Sequence, residues 1–197
     1  MLGRVDGKKV EIAVIFIVFG VAVRVALAGY SNIEPVLALS LMAGLVLGGW
    51  YALIVPLFMM VFSDWAIYAL GAGDVFGWNI IIGISFFTWT GMMMAGVAGR
   101  TVKPKFLFRL KGVGVFTGAA LIMTVIFDLW TMVGYMFVMD RPLYVVLAGQ
   151  VTFSIYHILS TLIFAPLFGT MYIYIHEYGI PNILLRRSGT DVPDEDK

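Results

Sequence analysis

Apolar residues fill six stretches of the chain, at roughly 10–29, 35–48, 50–70, 77–99, 112–138 and 143–175, while polar residues gather in the short connections between them. A helix needs about 20 apolar residues to cross a bilayer, and most of the stretches meet that length. The pattern predicts an all-α integral membrane protein, a bundle of six transmembrane helices. The second stretch is the shortest and the weakest candidate to span. One membrane domain is expected over 1–185, followed by a polar, acidic tail at 186–197 that contains Pro193 and is expected to be disordered in the cytoplasm. Lys8 and Lys9 ahead of an apolar run, with Ala26-Leu-Ala28 behind it, have the look of a signal peptide. Glu11 inside that run and Arg24 just before the small residues argue that the first helix is retained.

Composition agrees with the pattern: 61% of residues are hydrophobic and 13% charged, and the mean hydropathy is +0.96. A net charge of +1 without a basic patch gives no reason to expect a nucleic-acid partner. The chain has no cysteine, which excludes disulfides, thiolate metal sites and cysteine nucleophiles. Charge also orients the bundle, because Lys and Arg accumulate in short cytoplasmic loops. The connection from Arg100 to Lys111 holds Arg100, Lys103, Lys105, Arg109 and Lys111 and no acid. With six spans, placing it inside also puts the N- and C-termini in the cytoplasm, together with Lys8, Lys9, Arg186 and Arg187. The connections near Asn32, Asp74 and Asp140 then face outward, across the cell membrane.

Small residues at four-residue spacing mark helix contacts in lipid, where close backbone approach replaces the hydrophobic driving force. Ser40, Gly44 and Gly48 form one such series, Gly91, Ala95 and Gly99 a second, and Gly114 and Gly118 a third. Each is expected to pack within the bundle or to present a surface to a partner membrane protein. Pro56 and Pro166 are expected to kink the third and sixth helices.

Four ionisable side chains lie inside the apolar runs: Arg24, Asp64, Asp128 and His157. Burying a charge in a bilayer is costly, so such groups face the bundle interior and mark a ligand or ion route. By helical rise, Asp64 lies about 9 Å and Asp128 about 15 Å below the outer ends of their helices, with His157 near the midplane and Arg24 close to its outer end. Convergence of the four on one outward-facing pocket is expected. Trp65 follows Asp64, and Trp130 stands two residues after Asp128; an acid with an aromatic wall suits a cationic or heteroaromatic ligand. Trp89, Asn79, Gln150, Tyr156, Asn32 and Glu34 extend the candidate pocket. Against this, a Trp or Tyr near a helix end serves as an interface anchor, Arg24 can snorkel or pair with an acid, and either Asp can be structural.

The chain contains no nucleophile elbow, no His-Glu-x-x-His and no phosphate loop, so neither an enzyme nor a cofactor is expected. His157 and His176 are not spaced as a helical metal pair, and the 12 methionines are ordinary packing residues. The Asn32-Ile-Glu-Pro35 segment leading into the second run, Ser63-Asp-Trp65, Phe127-Asp-Leu-Trp-Thr131 and Tyr156-His-Ile-Leu-Ser-Thr161 together resemble the substrate-binding S components of energy-coupling factor (ECF) vitamin transporters. The resemblance implies a subunit that captures a vitamin-like small molecule at its outer face. It also implies partnership with a transmembrane coupling subunit and two cytoplasmic ATPases, and toppling in the membrane to release substrate. Ala22 and Ala26 match the Ala-x-x-x-Ala docking pattern of that family. In this reading Asp64 and Asp128 anchor the ligand, Trp65 and Trp130 are stacking walls, and His157, Gln150 and Asn79 orient it. The alternatives are an autonomous proton-coupled transporter using Asp64, Asp128 and His157, and a membrane scaffold or assembly protein whose polar residues only hold helices together.

Overall fold

The computed structural model describes residues 7–30, 33–70, 78–102 and 110–178. The described residues form six helices and no strand: α1 (Gly7–Ala26), α2 (Val36–Val46), α3 (Tyr51–Ala69), α4 (Trp78–Val102), α5 (Leu110–Met139) and α6 (Leu143–Tyr178). Every expected apolar run contains one helix. Four helices are long and apolar enough to cross a membrane: α3, α4 over Asn79–Val102, α5, and α6 over Leu143–Ile175. The helix α1 has 20 residues but carries Lys8, Lys9, Glu11 and Arg24. The helix α2 has 11 residues, about 16 Å of rise, roughly half of a hydrocarbon core. The expected tail at 186–197 and the candidate Asn32 lie outside the described residues.

The short helix sits at the centre, touching each of the other five. Ten of its 11 residues, Val36 to Leu45, are buried. This explains why its sequence is apolar all round with no polar face: a helix enclosed by other helices has no wet side. Its neighbours form a ring in which α1 packs on α3, α3 on α4, α4 on α5 and α5 on α6. The edge-on Phe19–Phe168 contact, at 6.3 Å between centroids, links α1 to α6. Outward faces of the ring are apolar, with Ile15, Ile122, Phe137 and Ile163 each at least 63% exposed. A surface of that kind suits lipid better than water.

Close packing of α2 depends on missing side chains. A Cβ built at Gly44 would collide with the carbonyl oxygen of Gly96, and one at Gly99 with that of Leu41, so the α2–α4 crossing is backbone against backbone. The α3–α4 crossing repeats this at Gly96, where a Cβ would strike the Ala52 carbonyl. Two of the three small-residue series therefore pack inside the bundle. The third, Gly114 and Gly118, meets nothing within 4 Å, so it is not a seam between helices of this chain. Gly48 and Gly49 have φ of +63° and +53° and make the abrupt reversal from α2 into α3, a left-handed conformation that only glycine adopts cheaply. Pro56 and Pro166 each lie within an unbroken helix.

The beginning of α2 is tied to mid-depth on α6: the Ser160 hydroxyl accepts from the Glu34 backbone N–H at 3.0 Å and donates to the Glu34 carbonyl at 3.1 Å. Pro35 holds Glu34 out of the helical region and so keeps the segment entering α2 extended. Glu34 thus lies within the bundle at the level of Ser160, and α2 does not fill the space between α4, α5 and α6 beyond it.

Candidate functional site

A cavity of about 530 Å³ occupies that unfilled end. Three helical stripes line it: Ile84, Phe87 and Thr88 from α4; Phe127, Thr131 and Tyr135 from α5; Val145, Val146, Gly149, Gln150 and Phe153 from α6. Spacings of three and four residues recur within the stripes, which place side chains on one helix face. Glu34 contributes from the segment before α2, and Arg141 from the α5–α6 connection. Glu34, Phe127 and Phe153 lie at the deep end; Tyr135, Arg141 and Val145 stand toward the helix ends. Its size falls in the ordinary range for small-molecule sites, which are mostly apolar with a few convergent polar groups.

The four ionisable groups of the apolar runs form two clusters rather than the single pocket expected from the sequence. The first joins α1, α3, α4 and the segment before α2. Arg24 donates through one terminal nitrogen to Asp64 Oδ1 and to the Ser63 hydroxyl at 2.7 Å. Trp89 Nε1 donates to Asp64 Oδ2 at 2.6 Å. Both oxygens of Asp64 are therefore satisfied. Arg24 Nε also faces Glu34 Oε2 at 3.5 Å, yet that oxygen is buried and has no hydrogen bond. Arg24 does not snorkel; it is an inward-facing ion-pair partner, its side chain only 15% exposed.

The second cluster lies between α5 and α6, where His157 Nδ1 and Asp128 Oδ1 approach to 2.6 Å. Both side chains are buried. The contact joins a ring nitrogen to a carboxyl oxygen, one of which carries the shared proton. His157 Nε2 and Asp128 Oδ2 are buried without partners. The Thr124–Thr161 hydroxyl pair, at 2.7 Å, lies one turn further in. Phe127 and Phe153 stand edge-on to the imidazole, with centroids 5.3 and 5.7 Å away. They also line the cavity, and so separate it from the Asp128–His157 pair.

Of the residues singled out in the sequence, Glu34 and Gln150 line the cavity. Asp64 and Trp89 hold Arg24 next to it, and Asp128 and His157 lie behind its aromatic floor. Trp130 stands at the α4–α5 contact, where its Nε1 donates to Thr90 at 2.9 Å and its ring meets Phe87 at 5.0 Å. It is one layer removed from the cavity. Trp65 is 72% and Tyr156 50% exposed on the outer face of the bundle, and Asn79 is exposed too; none of the three reaches the cavity. The aromatic rings that line the cavity are those of Phe87, Phe127, Phe153 and Tyr135. Ala22 is exposed along an apolar groove with Val14, Val18, Val21 and Phe62. Among the described residues no group of acids and histidines is arranged to hold a metal.

A family model described as a family of unknown function (DUF6580) matches residues 6–182. The chain belongs to that family. The match runs from the start of α1 past the end of α6, and so takes in both polar clusters and the cavity. No curated protein and no solved structure matches the chain.

Proposed function

We propose that this DUF6580 member is a membrane-embedded substrate-binding subunit for uptake, of the ECF type, which captures a vitamin-like small molecule from outside the cell membrane. One observation carries the reading: an aromatic-walled cavity of about 530 Å³ lies at the end of the bundle opposite the basic α4–α5 connection. Under the rule that short basic loops stay in the cytoplasm, the cavity faces outward and both termini face inward, with α2 and the segment before it completing a six-pass topology. A cysteine at Lys105 is then expected to be shielded from an impermeant thiol reagent in intact cells, and one at Gly73 to react; the reverse pattern would point the cavity into the cytoplasm.

The sequence offers no nucleotide-binding loop, so the energy for concentrative uptake comes in this reading from a transmembrane coupling subunit and two cytoplasmic ATPases. The Asp128–His157 pair favours a second reading, a proton-coupled transporter, because a buried acid and imidazole in contact form a proton site within the membrane. Reconstituted vesicles separate the two. The purified chain alone is expected to bind substrate without concentrating it, whereas accumulation driven by a pH gradient, with no ATPase present, would replace the first reading by the second.

A further inference from the structure

We infer that the molecule held in this cavity is an aromatic-bodied organic cation whose positive group meets Glu34; the inference rests on the binding role proposed above and names the class of ligand. The deep cluster joins one cation, Arg24, to two carboxylates, Asp64 and Glu34. Asp64 takes the better share, with Arg24 on one oxygen and the Trp89 indole on the other. Glu34 receives only the 3.5 Å approach of Arg24 Nε and no hydrogen bond to its buried Oε2. Within this cluster one negative charge is therefore in excess, at the one acid of the two that lines the cavity, whose lining cation, Arg141, stands on the α5–α6 connection. The N-terminus of α2, which begins just beyond Pro35, offsets it by about half a charge at most.

A carboxylate that shares its guanidinium with a better-bonded acid is only partly compensated in an apolar bundle, and a ligand cation seated against it supplies a further partner. Above Glu34 the walls are the rings of Phe127, Phe153 and Phe87. Aromatic faces attract cations and stack on flat rings, so the walls select the same kind of molecule as the floor. Arg141 and Gln150 stand nearer the opening and suit a hydrogen-bond acceptor on the outer end of the ligand. The distance along α6 from the level of Phe153 to that of Val145 is about 12 Å, room for a ring with substituents at both ends.

Three probes of matched size test the assignment on the full chain in detergent: phenethylamine, 2-phenylethanol and 3-phenylpropanoate, titrated by ligand-observed NMR. Phenethylamine is expected to bind at least about tenfold tighter than the other two, and Glu34→Gln to remove that preference while leaving 2-phenylethanol unchanged. Equal binding of all three probes, or a preference that survives Glu34→Gln, would overturn the cationic ligand and leave the binding role standing. Failure of all three probes to bind would count against both.

Discussion

Arg24→Gln is expected to destabilise the protein by about 3–5 kcal/mol, the range for removing one partner of a buried ion pair. The substitution keeps a polar group of moderate length but leaves Asp64 and Glu34 facing each other without a cation. Asp64 is only 14% exposed and Glu34 29%, so little solvent is present to take over from Arg24. The cost is also spread over the fold. Arg24 belongs to α1, Asp64 and Ser63 to α3, Trp89 to α4, and Glu34 to the segment that positions α2, so loss of the guanidinium loosens four elements at their common meeting point. Thermal unfolding of the purified variant measures the effect. A second substitution, Asp64→Asn on the Arg24→Gln background, removes one stranded charge and is expected to restore part of the loss. Unchanged unfolding in Arg24→Gln would mean that the cluster contributes nothing to holding α1 and α3 together.

Much of this arrangement is legible in the sequence because hydrophobic length is a strong signal. Each of the six helices lies on an apolar run, and the brevity of the second run is already visible in the chain. What brevity means is not visible there. An apolar stretch of 11 residues reads the same whether it fails to span or is wholly enclosed, and only packing shows that α2 is a central plug that stops at mid-depth. Glycine spacing predicts that Gly44 and Gly99 belong to close crossings. It does not distinguish them from Gly114 and Gly118, which have the same spacing and no neighbour.

The site is less legible, for a reason of helical geometry. Successive residues on a helix point about 100° apart, so neighbours in sequence do not share a face. Asp64 and Trp65 therefore diverge, the acid inward to Arg24 and the indole outward at 72% exposure. Asp128 and Trp130 diverge for the same reason, toward α6 and α4 respectively. The informative spacing is four residues: Phe127, Thr131 and Tyr135 form one wall of the cavity, and that stripe is present in the sequence. Pairing across helices is a further gap. Nothing in the linear chain says that Asp128 takes His157 while Asp64 takes Arg24, since either acid satisfies either base at the depths set by helical rise.

If the unfilled end of the bundle is a ligand site, filling it is the second substitution with a large expected effect. Gly149 lines the cavity, and a Cβ built there meets nothing within 4 Å, so a larger residue enters without displacing the helix. Tryptophan at that position adds a bulky ring at the cavity lining. Because Gly149 lies within α6 and takes part in neither polar cluster, Gly149→Trp is expected to leave thermal stability intact. Native mass spectrometry of the two purified proteins is the direct measurement. Wild-type protein is expected to carry a dissociable small molecule and Gly149→Trp to emerge bare. A bare wild-type protein, or the same bound mass on both, would contradict a ligand site above α2.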